Sequence, residues 1–144
     1  MRVNRSFLLI VCAMVMALNC GCTDDNPGGR KTAPRAHKLA AAHILIMHKY
    51  SPGRPPNVTR TQIEALELAQ EVAKKAQAAG ADFAALAKEY SDDPTGPEGG
   101  DLGVIQPTSV VPQFRDATRA LEIGAVSDPV RTHFGYHIIL RKEP

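Results

Sequence analysis

The sequence predicts an α+β domain in which helices pack on one small β-sheet. Its length of 144 residues is enough for one ordinary domain. Hydrophobic residues make up 44% of the chain and charged residues 22%, which is typical of a globular protein rather than a disordered or fibrous one. The predicted elements run from one strand, through three helices with a brief strand among them, to a final pair of strands. This order indicates a sheet covered by helices.

Residues 1–22 have the pattern of an export signal. Two arginines precede an unbroken apolar run over 7–18. A membrane-spanning helix needs roughly 20 apolar residues, so this shorter run fits a signal peptide. The two cysteines after the run resemble the acylation site of bacterial lipoproteins. This resemblance predicts a lipid anchor on Cys22, or on Cys20, with simple secretion as the alternative.

Residues 23–38 are polar and rich in proline and glycine, so they are predicted to be a flexible tether before a domain at 39–144. Without the two arginines of the signal, basic and acidic residues are equal in number. A neutral domain without tryptophan gives no reason to expect nucleic acid as a partner, and membrane contact is expected only through a lipid anchor. All three cysteines lie in the signal, so the domain has no thiol for catalysis or a disulfide.

The domain is predicted to start with a strand and a long loop. The run 39–48 is apolar with a β-branched centre, so it is predicted to be a strand. Because alternate residues of a strand point to the same side, His43, Leu45 and Met47 share one face. Residues 49–60 contain three prolines and a glycine, which exclude a helix or a central strand.

Helix signals follow the loop. Thr61 and Glu64 match a capping box, which predicts a helix over 63–79 that Gly80 ends. Asp82 can cap a second, shorter helix. The apolar positions expected to face inward from the first helix include Ile63, Leu66, Ala69 and Ala73. The further elements are a third helix at 111–121 and strands at 104–105, 127–132 and 136–141.

Read residue by residue, the domain offers no covalent catalyst. His133 and His137 have the spacing of a helical zinc pair, but they fall on a predicted turn and strand, where four residues span about 13 Å. They are therefore not expected to share a metal ion. The glycines between 96 and 103 do not link a strand to a helix, and no serine has the flanking pattern of a nucleophile. Neither a metal nor another cofactor is expected.

From Ala41 to Lys142 the sequence resembles the parvulin-type peptidyl-prolyl cis/trans isomerases. The matching segments are AAHILI, TRTQIEALELA, DFAALAKEYSDD, GGDLGVI, VPQFRDATRAL and SDPVRTHFGYHIILR. Each is weak alone, but all occur in the family's order on the expected elements. The resemblance implies a four-stranded antiparallel, FKBP-like sheet with about three to four surrounding helices. It also implies an enzyme that rotates X-Pro bonds without breaking any bond, which suits a domain that has no nucleophile.

The resemblance assigns the substrate-binding residues. The proline pocket falls on Leu102, Val110 and Phe114, and Met47 and Phe134 fall beside it. Relatives often carry methionine where Val110 stands, so the pocket is expected to differ in shape. An aromatic face at Phe114 suits a proline ring. Ordinary core packing is the alternative for the three pocket residues, and for Leu102 the two interpretations are equal.

The resemblance also assigns four polar residues to catalysis: His43, Asp93, Thr132 and His137. The two histidines match a pair on neighbouring strands, where a supporting hydrogen-bond role is favoured over direct proton transfer. Asp93 falls where relatives carry cysteine or aspartate, and its carboxylate is expected to polarise the amide or to orient the neighbouring histidine. A residue of the turn after the helix is the alternative for Asp93. Thr132 matches a threonine that is hydrogen-bonded into this network.

Selectivity for phosphorylated substrates is not expected. Relatives specific for phosphoserine or phosphothreonine before proline use a lysine in the first strand and paired arginines in the following loop. Here Met47 takes the lysine position, and the loop segment SPGRPP offers Arg54 alone, with Lys49 nearby. A phosphate dianion needs several charge-assisted donors, so the sequence predicts little phosphate dependence.

The protein expected from these observations is a monomeric peptidyl-prolyl isomerase of the bacterial cell envelope. It is lipid-anchored on the periplasmic side, or otherwise secreted, and it acts on X-Pro bonds of exported or envelope proteins to assist their folding. Its partners are proline-containing polypeptides. A parvulin-fold chaperone or peptide-binding module with weak isomerase activity is the alternative, and a structural lipoprotein that keeps only the fold is a third interpretation.

Overall fold

The computed structural model describes residues 38–144. Within that range the elements are β1 (Leu39–Ile46), α1 (Gln62–Gln77), α2 (Phe83–Tyr90), a 3₁₀ turn (Gly96–Glu98), β2 (Asp101–Ile105), α3 (Pro112–Ala120), β3 (Val130–Thr132) and β4 (Gly135–Lys142). The strands form one antiparallel sheet in the order β2-β1-β4-β3. The predicted α+β class, with a four-stranded antiparallel sheet and surrounding helices, is confirmed.

The predicted signal, nearly all of the predicted tether, and the candidate lipidation sites Cys22 and Cys20 lie outside the described residues. Among the helices of residues 38–144, none is long and apolar enough to cross a membrane.

β1 lies at the centre of the fold and is covered on both faces. All eight of its residues are buried, as a central strand between two layers requires. On one face Ile44 and Ile46 pack with α1 and α2, where alanine side chains allow a close approach. On the other face Leu39 and Ala41 pack with Phe114 of α3. The face that carries α3 is the one that forms the groove described below.

The pairing of β1 with β4 determines where the two central histidines meet. The strands are antiparallel, with Ala40 opposite Lys142 and Leu45 opposite His137. Directly opposed residues point to the same side of a sheet, and so does a residue two positions along the strand. His43 and His137 are therefore diagonal neighbours on one face. The outer ends of these strands, at Ala40 and Lys142, lie side by side.

Both predicted helix caps are present, but one buried position was predicted wrongly. Thr61 Oγ1 accepts from the Glu64 N–H, the Glu64 carboxylate accepts from the Thr61 N–H, and Asp82 caps α2. Ile63 is 72% exposed, although the apolar pattern placed it on the inner face. It lies about 200° around the helix from the buried Ala65, at 3.6 residues per turn.

The outer strands differ from their predicted extents. β2 begins at Asp101 rather than at residue 104, with an irregular register opposite Ala40 and Ala42. The strand predicted at 127–132 is restricted to β3, because Pro129 has no N–H to donate to a ladder. Ser127 still bonds to β4: its N–H donates to the Ile139 carbonyl at 2.8 Å, and its side-chain Oγ accepts the Ile139 N–H at 3.0 Å.

Candidate active site

A groove of about 340 Å³ lies on the α3 side of the sheet, over β1 and β4. The structure brings most of the predicted site residues together there. Those that line the groove are His43, Met47, Asp93, Leu102, Val110, Phe114, Phe134 and His137. The remaining one, Thr132, lies behind His137 and is hydrogen-bonded to it. Lining residues that the sequence did not assign to the site are Leu45, Pro52, Ser109 and Val111.

The two central histidines are buried and bonded to each other. His43 and His137 are each 5% exposed, and their Nδ1 atoms are 3.1 Å apart. Their rings are nearly parallel, at 18°, with centroids 5.3 Å apart. At the far side of each ring, Nε2 has a partner: Asp93 Oδ1 lies 3.4 Å from His43, and Thr132 Oγ1 lies 2.9 Å from His137. All four imidazole nitrogens are therefore engaged.

The carboxylate of Asp93 gives this chain of hydrogen bonds a direction. An ionised carboxylate only accepts, so His43 carries its proton on Nε2 and leaves Nδ1 as an acceptor. His137 then donates from Nδ1, and its Nε2 accepts from the Thr132 hydroxyl. The Thr132 oxygen in turn accepts from the Phe134 N–H at 3.1 Å. One consistent arrangement thus satisfies every group in this chain of hydrogen bonds.

The charge states support that arrangement. The hydrogen bond from His43, with further ones from Thr95, holds the pKa of Asp93 well below its usual range, although burial opposes this. Burial, and then the neighbouring His43, lower the pKa of His137 from 6.5 to about 3, against the attraction of Asp93. His137 is therefore neutral at physiological pH. Both of its ring nitrogens are already paired, with His43 and with Thr132.

The low pKa of His137 predicts a stability that depends on pH. Below pH 6.5 His137 binds a proton in the unfolded chain, whereas in the folded protein it binds one only below about pH 3. The free energy of unfolding therefore falls as the pH falls through this window. We expect a loss of about 2 kcal/mol between pH 7 and pH 5 in urea unfolding. His137→Gln should remove most of that loss, and an unchanged pH dependence in this variant would contradict the assignment.

An apolar pocket lies directly against the histidine pair. Phe114, which is 3% exposed, meets both imidazoles edge-on, with centroids 5.7 Å from His43 and 5.4 Å from His137. Leu102 and Val110 are partly buried against the same cluster. α3 delivers Phe114 to this point because it begins at Pro112, a favourable first residue of a helix. The pocket can take an apolar ring and remove water from the group attached to it.

The loop 49–60 forms the outer wall of the groove. It places Pro52 on the groove, and its Val58 packs with Leu45 and Met47 in a small cluster of its own. The Arg54 guanidinium donates to carbonyls within the loop, at 2.8 Å to Lys49 and at 3.0 Å to Val58. The one arginine that the sequence offered for phosphate thus holds the wall together. No group of three potential metal ligands occurs among residues 38–144.

Comparisons with known proteins agree on one family. Residues 28–144 match the PPIC-type PPIase domain. Chaperone SurA of Chromohalobacter salexigens is 47% identical over 100 residues, which are 67% of this chain and 20% of that protein. Foldase protein PrsA of Geobacillus sp. (strain WCH70) is 42% identical over 103 residues, or 71% of this chain and 31% of that protein. The chain thus spans less than a third of the length of these relatives.

A solved structure shows the same fold. The peptidyl-prolyl isomerase ESS1 from Candida albicans has a TM-score of 0.69 and 26% identity, over 74% of this chain and 63% of that one. The family match extends over the whole described range, including the groove and the paired histidines. The chain therefore belongs to the parvulin, or PPIC-type, family of peptidyl-prolyl cis/trans isomerases.

Proposed function

We propose that this protein is a peptidyl-prolyl cis/trans isomerase that acts on X-Pro bonds of exported or envelope polypeptides and assists their folding. The observation that carries the proposal is the buried Phe114 pocket, which lies edge-on against a fully hydrogen-bonded histidine pair. Substrate-binding roles follow for Leu102, Val110 and Phe114 in the pocket. Met47 and Phe134 bind the chain on either side of the proline.

The proposed mechanism needs no bond breaking. Rotation about the prolyl amide faces a barrier of about 18–20 kcal/mol, because resonance favours the planar, more polar form. A pocket that grips the ring and strips water from the amide favours the twisted, less polar state. In this proposal His43, Asp93, Thr132 and His137 act together as a rigid wall beside the amide. Their directed hydrogen bonds keep that wall in place while the carbonyl swings.

The proposal extends to location on the basis of sequence. Residues 1–22 have the pattern of an export signal with Cys22, or Cys20, as the lipidated residue. The named relatives are a chaperone and a foldase, and one solved relative is one of two SurA-like chaperones from Campylobacter jejuni, of which one is called periplasmic. A lipid anchor would hold a monomeric domain at the membrane, within reach of exported chains. Proline-containing polypeptides are its partners, with no nucleic acid and no cofactor.

The test is cis-to-trans exchange in short X-Pro peptides, followed by NMR exchange spectroscopy. Residues 34–144, which contain every described helix and strand, are the protein to use. Acceleration proportional to protein concentration supports the isomerase. A groove that binds the peptides without accelerating exchange, for several residues before proline, overturns the enzyme and makes the protein a peptide-binding chaperone.

Phosphorylation of the residue before proline should not increase turnover. The charged residue on the groove is Asp93, which is already bonded, and Arg54 donates to loop carbonyls. We therefore expect equal kcat/KM for Ala-Pro, Glu-Pro and phosphoserine-Pro peptides of otherwise identical sequence. A preference above about tenfold for the phosphopeptide, which equals about 1.4 kcal/mol, would contradict this expectation.

A further inference from the structure

Asp92 lies where three parts of the groove meet. Its Oδ2 accepts from the Met47 N–H at 2.8 Å, so it holds the end of β1 where Met47 enters the groove. Both carboxylate oxygens accept from the Arg60 guanidinium, each at 2.9 Å, in a bidentate pair. The next residue along the chain is Asp93, which anchors the histidine pair. The Asp92 carboxylate thus links the end of β1 to the loop, and its backbone leads directly into the catalytic network at Asp93.

Arg60 closes the loop that carries the groove wall. Its carbonyl accepts from the Lys49 N–H at 2.8 Å, so the two ends of the loop are tied together at this residue. The side chains of the ion pair are largely shielded, with 23% of Arg60 and 10% of Asp92 exposed. A shielded, bidentate pair has a defined geometry that a surface ion pair lacks. Its position therefore sets the position of Pro52 relative to the histidines.

We propose that Asp92 and Arg60 are positioning residues for the isomerase groove, which together hold the Met47–Pro52 wall at a fixed distance from the histidine pair. Neither residue lines the groove, so both act through the residues they hold. The wall contacts the peptide chain in the planar and the twisted state alike. Loosening it should therefore weaken substrate binding and leave the rate of the bound substrate nearly unchanged.

Arg60→Met tests the inference because it keeps the apolar stem and removes both hydrogen bonds. We expect the Kd of an Ala-Ala-Pro-Phe peptide, from chemical-shift titration, to rise by about tenfold. The exchange rate of the saturated complex should stay within about twofold. The control is Arg141→Met, because the Arg141 guanidinium also makes two hydrogen bonds, in this case to the backbone carbonyls of Arg119 and Leu121 at the other end of β4. That variant should bind the peptide like the wild type.

A folded Arg60→Met protein with a wild-type Kd, or one that loses exchange rate instead of affinity, overturns the inference. If Arg60→Met does not fold, Arg60→Lys decides: it keeps the charge but not the bidentate bond, and its Kd should rise by about threefold. A wild-type Kd in Arg60→Lys then overturns the inference as well. The inference rests on the proposed function, but Kd is measured without turnover. Absence of exchange in the wild type would overturn the proposed function alone.

Discussion

Replacement of Phe114 by alanine is expected to lower kcat/KM for an X-Pro peptide by about a hundredfold, which equals about 2.7 kcal/mol of transition-state stabilisation. The phenyl ring is both the floor of the proposed proline pocket and the surface against which the two imidazoles rest. Without it, the proline ring loses its apolar contact and water reaches the amide. The measurement is catalysed exchange in an Ala-Pro peptide at matched protein concentrations.

Phe83→Ala is the matched control for loss of a buried aromatic ring. Phe83 is 8% exposed and Phe114 is 3% exposed, but Phe83 packs with α1 on the opposite face of the sheet. Both substitutions should cost stability, about 3 kcal/mol each, in urea unfolding followed by circular dichroism. Only Phe114→Ala should lose activity, with Phe114→Leu as an intermediate that better preserves the fold. Equal activity losses in the two alanine variants would remove the pocket from the mechanism.

Replacement of Gly100 by alanine is expected to cost about 3 kcal/mol or more of stability and to disturb the histidine pair. Gly100 has a φ of +70°, and a Cβ there would overlap the carbonyl oxygen of His43. The same two residues are also joined by a 2.8 Å bond from the His43 N–H to the Gly100 carbonyl. In Gly100→Ala the backbone segments at Gly100 and His43 must therefore move apart.

Gly103→Ala separates the cost of backbone conformation from that of the close approach. Gly103 also has a positive φ, +57°, but no atom lies within 4 Å of its Cβ position. This variant should lose only about 1 kcal/mol and keep its activity. Thermal unfolding and a histidine-region NMR spectrum of both variants provide the comparison. If Gly100→Ala is no less stable than Gly103→Ala, close packing on His43 is not what requires glycine at this position.

The sequence was most informative where structure is determined locally. The capping box at Thr61 and the cap at Asp82 use side chains within three residues of the groups they satisfy, so a short pattern is enough. The face shared by His43, Leu45 and Met47 follows from strand alternation alone. The resemblance then supplied the residues of the groove, most of which no periodicity would have selected.

Features that depend on distant pairing were not predictable. The carboxylate of Asp92 pairs with Arg60, which lies 32 positions away, and no local pattern around Asp92 indicates this partner. Pro52 was assigned to a loop, and only the folding of that loop onto Met47 places it on the groove. β2 begins as early as Asp101 because that residue pairs with β1. The residues around Asp101 do not by themselves indicate this pairing. Such contacts form only when distant parts of the chain come together in the fold.

The neighbouring positions of Ala40 and Lys142 make this fold a module that can be inserted into another protein. Two chain ends that leave from paired strands can join a host loop without being forced apart, which suits domain insertion. This geometry accords with longer relatives in which the matching segment is only 20% or 31% of the protein. The groove runs along the α3 face of these strands, from His43 and His137 in their middle to Met47 and Phe134 near the end away from Ala40 and Lys142. A domain attached at Ala40 and Lys142 therefore keeps the Met47 end of its groove away from the point of attachment.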